Sequence, residues 1–397
     1  MNKKYVIIGT SAAGLSAALQ IRRLEPKSSV ICISDELELP YNKCLLSSYC
    51  AGRRTHASVF TQFAGIECML GSRVRDIHTA RQQVVLETGK LVEYDSLFLG
   101  MGGKPVVPEV FRGNYSGIFT YYNLSDAQKI LDYSVHHKIS RVIIIGGGLN
   151  GLECADAFVQ RGLKVALIEQ QAHILPACYD PEGAEYLSQK LERAGIILYT
   201  GDTVQELLVG ENKIYGVLCT SGKTVVGELI IIAAGMQAAT QILEKTEIQR
   251  VQGSVVTNNF LQTNIPNIYA GGDCALVNNK LSHAMIRSSR WPDAAIQGMH
   301  AAYGMVGLEK VYPGVVPYAQ STLCELPVVV AGDLQVTAST TTQRVVDTDR
   351  YELRVFDKVG QLQGFLVMGT LNNMARLREN LWKGGHDSSI QDDGRKK

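Results

Sequence analysis

Apolar residues form short unbroken runs that end in glycine-rich turns at two places in this chain. Residues 5–8 are followed by Gly-Thr-Ser-Ala-Ala-Gly at positions 9–14, and residues 142–145 by Gly-Gly-Gly-Leu-Asn-Gly at positions 146–151. A Val- and Ile-rich run without polar alternation is typical of a buried parallel strand. The Ala- or Leu-rich stretch after each turn favours a helix. The pattern therefore predicts two strand–turn–helix units.

Each of these turns has the spacing that a bound phosphate requires. Glycine allows the tight turn, and the helix that follows offers unpaired N–H groups and the positive end of its dipole to a pyrophosphate. Ser11 stands where the second turn has a glycine, and its small side chain should still fit. The alternative is a glycine-rich turn that binds no ligand. The candidate phosphate-binding residues are Gly9, Ser11, Ala12, Ala13, Gly14, Gly146, Gly148, Leu149, Asn150 and Gly151.

Acidic residues follow the next strand of each unit. The strand at 165–168 ends at Glu169, and the strand at 29–33 leads to Asp35 and Glu36. A carboxylate at this position accepts hydrogen bonds from ribose hydroxyls in dinucleotide-binding folds. Glu169 would repel a 2′-phosphate, and residues 170–173 supply no Arg to offset that repulsion. The second unit should therefore prefer a dinucleotide without a 2′-phosphate.

A second set of patterns recurs after both units. Polar–apolar alternation and then a buried strand ending near Gly102 follow the first unit, and the same order after the second unit ends at Gly235. A further strand at 268–270 leads to Gly-Gly and Asp273, an acid placed to bind a polyol hydroxyl. Each half is thus predicted to be an α/β nucleotide-binding fold that carries a three-stranded β-meander.

Length, charge and cysteine usage narrow the class of protein. At 397 residues we expect two or three domains, and a net charge of +1 gives no electrostatic case for nucleic acid or an anionic membrane. We reject an N-terminal secretory signal, because cleavage would remove the first phosphate turn. No apolar run approaches the ~20 residues that span a bilayer. Nine cysteines without paired spacing favour a reducing, cytoplasmic location, and no Cys or His cluster has metal-ligand spacing.

Taken in order, these motifs resemble the FAD-dependent pyridine nucleotide-disulfide oxidoreductase superfamily over nearly the whole chain. The resemblance implies that the first unit and the Gly-Gly-Asp motif bind FAD, with Asp273 on the ribityl chain of the flavin. It implies that the second unit binds NADH, with NADPH less favoured. Besides the residues of the two turns, the cofactor-binding candidates are Asp35, Glu36, Lys43, Gly102, Glu153, Glu169, Gly235 and Asp273.

The resemblance also implies a domain organisation. We expect an α/β fold with two Rossmann-like domains and a smaller α+β C-terminal domain. The predicted FAD-binding domain is discontinuous, with residues 1–113 and 234–304, and the NAD(P)H-binding domain comprises residues 114–233. Residues 305–383 form the predicted interface-like C-terminal domain, and 384–397 a polar tail predicted to be disordered. A homodimer is one possible assembly.

The segment at residues 39–49 indicates which branch of the superfamily the chain resembles. It resembles the segment over the flavin in rubredoxin and ferredoxin reductases and in the flavin part of NADH-dependent nitrite reductase. The Cys-x4-Cys pair of glutathione-type reductases is absent, because five residues separate Cys44 from Cys50. Cys44 instead occupies the position where CoA-disulfide reductases and NADH oxidases of the superfamily carry a single redox cysteine.

Two interpretations of Cys44 remain open at this point. A thiol at a predicted helix start beside Lys43 should favour the thiolate, which could attack a disulfide or persulfide. The alternative is a small, buried and unreactive Cys that fills an apolar slot. The C-terminal region lacks a clear Tyr pair of the kind that CoA-disulfide reductases use, Tyr351 being the only tyrosine after Tyr318.

The predicted function is that of an FAD-dependent NAD(P)H oxidoreductase. NADH is expected to pass a hydride to N5 of FAD. The electrons then reach either a disulfide or persulfide through Cys44, the candidate catalytic residue, or a small redox protein of the rubredoxin or ferredoxin kind. A flavoprotein that binds FAD and NADH with low turnover and serves as a redox sensor is the alternative from another functional class.

Overall fold

A computed structural model describes residues 3–61, 63, 65–176, 180–372 and 374–383. Among the helices in this part of the chain, none combines the length and the apolar character that a membrane crossing needs. The α-helices are α1 (Ala12–Leu24), α2 (Leu46–Cys50), α3 (Leu124–His136), α4 (Leu149–Gln160), α5 (Pro181–Arg193), α6 (Trp291–Met305) and α7 (Met374–Lys383).

The strands are short and fall into several sheets. The strands of the N-terminal half are β1 (Lys4–Ile8), β2 (Ser29–Ile33), β3 (Glu67–Met69), β4 (Val74–His78), β5 (Gln83–Leu86), β6 (Leu91–Glu93), β7 (Ser96–Leu99), β8 (Gly103–Pro105), β9 (Ile118–Thr120), β10 (Arg141–Ile145), β11 (Lys164–Glu169) and β12 (Ile196–Thr200). Those of the C-terminal half are β13 (Val204–Gly210), β14 (Lys213–Cys219), β15 (Thr224–Val226), β16 (Leu229–Ile232), β17 (Met236–Ala238), β18 (Arg250–Val251), β19 (Ser254–Val256), β20 (Ile268–Ala270), β21 (Ala275–Asn278), β22 (Met285–Ile286), β23 (Tyr318–Leu323), β24 (Leu326–Gly332), β25 (Thr340–Val346), β26 (Arg350–Asp357) and β27 (Leu362–Gly369).

The first compact unit comprises Met1–Pro105, Tyr122–Ser125 and Met236–Val315. Its main sheet has the order β20-β7-β1-β2-β3, and all of these pairings are parallel. The strand β1 has its last four residues buried, as expected for a central parallel strand with both faces covered. The β4-β5-β6 meander belongs to the same unit, and α1 packs against α6.

The second compact unit comprises Val106–Tyr121, Asp126–Gly235 and Val316–Lys397. Its parallel sheet has the order β12-β11-β10-β16-β9, and β13-β14-β15 form its meander. An antiparallel sheet, β23-β24-β27-β26-β25, follows toward the C-terminus. The parallel sheet and the antiparallel sheet of this unit share one apolar core, to which α4 and α5 also contribute.

The predicted fold class is confirmed. Both parallel sheets have the predicted strand–turn–helix starts and three-stranded meanders, and the C-terminal region forms a sheet and a helix. The predicted domain boundaries stay a prediction, and the predicted disordered tail at 384–397 lies outside the described residues.

Candidate functional site

The first glycine-rich turn lies at the carboxyl end of β1. Gly9 has a φ of +106°, and a Cβ there would collide with the carbonyl of Gly100, so only glycine fits. The helix α1 begins at Ala12, and the side chain of its N-cap, Ser11, makes no capping hydrogen bond. The first N–H groups of α1 are therefore left for an anion. The buried residues of this first turn of helix are Ala12, Ala13 and Gly14.

The second turn, at the carboxyl end of β10, has the same construction. The helix α4 begins at Leu149, and its N-cap is Gly148. A Cβ on Gly148 would meet nothing within 4 Å, whereas a Cβ on Gly151 would collide with the carbonyl of Gly146. Asn150, on the first turn of α4, is exposed. The open space over Gly148, next to uncapped N–H groups, fits a pyrophosphate.

The two acids after β2 have different partners. Asp35 is exposed and forms an ion pair with Arg73 at 3.2 Å, a surface contact that contributes little to stability. Glu36 is half-buried and accepts hydrogen bonds from the hydroxyl of Tyr41 at 2.6 Å and from Nζ of Lys43 at 2.9 Å. The structure thus brings Glu36 and Lys43 together, and Asp35 remains at the surface.

Three further candidates, Lys43, Gly102 and Asp273, belong to the first unit, and Gly102 and Asp273 follow the carboxyl ends of the parallel strands β7 and β20. The Nζ atom of Lys43 lies 3.8 Å from the ring centroid of Tyr122, and a Cβ on Gly102 would lie 3.2 Å from the Tyr122 hydroxyl. Burial raises the pKa of Asp273, while the charges of Lys43 and Arg287 act in the opposite direction. Ligands of open α/β sheets bind at this edge of the sheet. Together with the first turn, these residues fit the pyrophosphate and polyol parts of FAD.

Four residues of this site were missed by the sequence analysis as candidates. The side chain of Gln297 in α6 accepts a hydrogen bond from the N–H of Gly272 at 2.7 Å, which holds the Gly-Gly-Asp turn. Tyr41 lies in the segment at residues 39–49, so that motif could have suggested it. Tyr122 and Arg287 belong to no motif, and only the fold brings them near Lys43 and the Gly-Gly-Asp turn.

Glu169 is the last residue of β11 and is buried. Its carboxylate accepts hydrogen bonds from the N–H of Gly147 at 2.6 Å and from the N–H of Gln171 at 2.8 Å. Both donors are backbone groups beside the second turn, so the carboxylate is held where the ribose of a dinucleotide binds in this class of fold.

Glu153 lies on α4 and is half-buried. It accepts a hydrogen bond from the hydroxyl of Ser321 on β23 at 2.6 Å. Burial raises the pKa of the Glu153 carboxyl, and the Ser321 hydrogen bond acts in the opposite direction. Gly235, with a φ of +105°, lies in the turn between β16 and β17.

Cys44 lies in a single 3₁₀ turn, Lys43–Leu45, directly before α2. The side chain of Asn42 accepts a hydrogen bond from the N–H of Cys44 at 2.9 Å, which fixes the backbone of this turn. Cys44 is exposed, whereas Cys50 is fully buried. The redox role of Cys44 and the packing alternative both stay predictions, and α2 begins two residues after the cysteine.

The family model described as pyridine nucleotide-disulphide oxidoreductase matches residues 3–302. The chain belongs to this family. Its predicted class, an FAD-dependent NAD(P)H oxidoreductase, is thereby confirmed, as is the prediction of FAD and NAD(P)H as cofactors. The redox-sensor alternative has no support in the comparisons.

Relatives with different electron acceptors resemble the chain to a similar degree. An NAD(P)H coenzyme A polysulfide/persulfide reductase of Pyrococcus horikoshii is 28% identical over 340 residues, which cover 83% of this chain and 75% of the relative. A 3-phenylpropionate/cinnamic acid dioxygenase ferredoxin–NAD(+) reductase component of Photorhabdus laumondii is 28% identical over 319 residues, which cover 79% of this chain and 80% of the relative. The structure of reduced Bacillus anthracis CoADR-RHD matches with a TM-score of 0.89 at 22% identity, covering 97% of this chain and 75% of that one, and it supports the fold alone.

Proposed function

We propose that this oxidoreductase prefers NADH and reduces a low-molecular-weight disulfide or persulfide through Cys44. The observation that carries the proposal is the exposed thiol of Cys44, next in sequence to Lys43 in the unit that holds the FAD candidates. A relative named as a polysulfide/persulfide reductase supports the same substrate class.

The FAD-binding role falls to residues of the first unit. The N–H groups at the start of α1 would hold the pyrophosphate. The acids after β2, Asp35 and Glu36, would bind the adenosine ribose, for which Asp35 would exchange its surface ion pair. Asp273 would bind the ribityl chain, with Lys43 and Arg287 supplying positive charge nearby. Bound FAD supplies the two-electron chemistry that links NADH to the acceptor.

The NADH-binding role falls to residues of the second unit. The N–H groups at the start of α4 and the open space over Gly148 would receive the pyrophosphate. Glu169 would accept hydrogen bonds from the adenosine ribose and repel a 2′-phosphate. Gly146, Leu149, Asn150, Gly151, Glu153 and Gly235 complete the proposed set.

The proposed thiol chemistry uses one protein cysteine. The Cys44 thiolate attacks one sulfur of the substrate disulfide, the substrate S–S bond breaks, and the departing thiolate takes up a proton. Cys44 is then in a mixed disulfide with the other half of the substrate. Two electrons, supplied ultimately by NADH, reduce this mixed disulfide, release the second thiol with a proton and restore the Cys44 thiolate.

A small redox protein of the ferredoxin or rubredoxin kind is the second candidate acceptor. The observation that favours it is the position of Tyr351, which is buried and donates a hydrogen bond to Asp180 at 2.6 Å. This tyrosine is therefore not available to assist a disulfide substrate in the way that the resemblance to CoA-disulfide reductases would suggest. The relative named as a ferredoxin–NAD(+) reductase component supports this acceptor class.

A panel of acceptors separates the two candidates. NADH consumption is measured with CoA disulfide, a CoA persulfide, a ferredoxin, a rubredoxin and an artificial dye, for the wild type and for Cys44→Ser. We expect the variant to lose ~100-fold or more of its activity toward the sulfur acceptors and to keep its dye activity. Cys324→Ser, which changes a half-buried thiol of the second unit, is the control and should match the wild type. Equal activity of Cys44→Ser and wild type with every sulfur acceptor would contradict the proposal.

A further inference from the structure

Two cysteines outside the Cys44 segment lie side by side in the first unit. Cys32 is on β2 and Cys68 is on β3, and the two are direct partners in the parallel register of these strands. Aligned residues of neighbouring parallel strands point to the same face of the sheet. Adjacent strands lie about 4.7–4.9 Å apart, which falls within the Cα separation of roughly 4.4–6.8 Å that a disulfide requires.

The two thiols interact but have unlike surroundings. Cys32 is fully buried, whereas Cys68 is half-buried on the three-residue edge strand β3. The influence of each thiol on the other is the main cause that raises the pKa of Cys32 and lowers the pKa of Cys68. Cys68 is therefore both the more accessible thiol and the better thiolate, which makes it the nucleophile of the pair.

The loop that follows β2 depends on β3 and the turn after it. The N–H of Ser34 donates to the carbonyl of Met69 at 3.0 Å, and the N–H of Ser72 donates to the carbonyl of Ser34 at 2.7 Å. The N–H of Gly71 donates to the carbonyl of Glu36 at 2.9 Å. These hydrogen bonds fix the loop that carries the proposed ribose-binding acids of the FAD site. A covalent change between β2 and β3 would act directly on this loop.

We propose that Cys32 and Cys68 form a reversible disulfide, installed by a low-molecular-weight disulfide, and that this bridge weakens the binding of FAD. The effect on FAD rests on the proposed FAD site, whereas the bridge itself does not. The Cys68 thiolate attacks the small disulfide and releases one thiol. Cys32 then attacks the sulfur of Cys68 in the mixed disulfide and releases the second thiol. Two protein thiols are oxidised, one disulfide is reduced to two thiols, and the protons of the cysteines end on those thiols.

Trypsin gives a direct test for the bridge, because its cleavage sites place these cysteines on separate peptides. Cys32 falls on peptide 28–43, Cys44 and Cys50 on 44–53, and Cys68 on 55–73. The intact protein is treated with oxidised glutathione, free thiols are alkylated, and the digest is analysed by mass spectrometry. We expect peptides 28–43 and 55–73 joined with the loss of two hydrogens, and separated again by dithiothreitol. Cys44→Ser should give the same bridge.

Retention of FAD tests the consequence of the bridge. After oxidation and gel filtration, we expect the wild type to lose at least ~3-fold more FAD than Cys68→Ser or Cys32→Ala treated in the same way, and to regain it after reduction. A digest with glutathione on Cys68 but no joined peptides would overturn the bridge. A bridge with unchanged FAD retention would overturn the regulatory effect. A protein that binds no FAD even when reduced would instead contradict the proposed function, and the peptide analysis would remain valid.

Discussion

At the residue scale, Glu169 carries the proposed preference between the two nicotinamide cofactors. The N–H groups of Gly147 and Gln171 hold its carboxylate in one position, where the carboxylate would repel a 2′-phosphate. We expect Glu169→Ala to lower the ratio of kcat/KM for NADH over NADPH by ~10-fold or more, which corresponds to about 1.4 kcal/mol. Glu185→Ala removes the same charge from an exposed position on α5 and is the control. An unchanged ratio in the Glu169 variant would show that another residue sets the preference.

Glu153 gives a prediction about pH. Because burial raises its pKa in the folded state, the carboxyl contributes most to stability when protonated, and this contribution is lost as the pH rises through the raised pKa. Glu153→Gln stays neutral and can still accept the Ser321 hydrogen bond. We therefore expect the variant to have a higher Tm than the wild type at pH 7 and nearly the same Tm near pH 4.

Thermal unfolding without NADH, from about pH 4 to pH 8, checks this expectation. Glu185→Gln, at an exposed site, should show no comparable pH-dependent difference. A difference between Glu153→Gln and wild type that stays constant over the whole range would contradict the assigned role of burial.

The sequence made the local residues of the site predictable and the distant ones unpredictable. The glycines and acids follow strands at fixed spacing, because the geometry of one strand–turn–helix unit determines where they lie. Tyr122 and Arg287 approach Lys43 and Asp273 from distant parts of the sequence, and no local pattern indicates such a contact. The exposure of Cys44 was also open, because the same short segment could have buried or exposed it.

At the scale of the element, we expect a substitution in the turn before α4 to weaken cofactor binding without changing the stability of the fold. Gly148→Ala adds a methyl group to open space at a normal φ, so we expect the free energy of unfolding to stay within about 0.5 kcal/mol of the wild type. The same methyl group would occupy the space proposed for the pyrophosphate, and the Kd for NADH should rise by ~10-fold. FAD content should not change.

Gly151→Ala is the matched comparison for this prediction. Its Cβ would collide with the carbonyl of Gly146, so this variant should lose stability as well as NADH affinity. Chemical denaturation and NADH titration of both variants check the pair. Unchanged NADH affinity in Gly148→Ala would place the pyrophosphate elsewhere.

The elements themselves followed from hydrophobic pattern where the pattern was long. The buried strands β1, β7, β10 and β16 were predictable, because few other structures bury a short, unbroken apolar run. Cys44 was expected at a helix start, whereas a single 3₁₀ turn, Lys43–Leu45, precedes α2, because a 3₁₀ turn and an α-helix start have the same local sequence preferences. The thiol contact across β2 and β3 depends on strand register, which the sequence alone does not specify.

At the scale of the whole molecule, duplication explains why the fold was predictable. Two copies of one nucleotide-binding pattern, each with its own meander, require two parallel sheets, and both are present. The C-terminal antiparallel sheet was expected only from the resemblance. Its residues share an apolar core with the second parallel sheet, a connection that no motif indicated.

The central claim is that electrons from NADH leave the protein through Cys44, and stopped-flow spectroscopy of the two half-reactions tests it most directly. The oxidised protein with FAD is mixed with NADH, and the reduced protein is then mixed with CoA disulfide, CoA persulfide or a dye. Cys44→Ser should leave the rate of flavin reduction within about 2-fold of the wild type and slow reoxidation by the sulfur acceptors by ~100-fold or more, while reoxidation by the dye stays unchanged. Wild-type rates of reoxidation by the sulfur acceptors in Cys44→Ser would contradict the account.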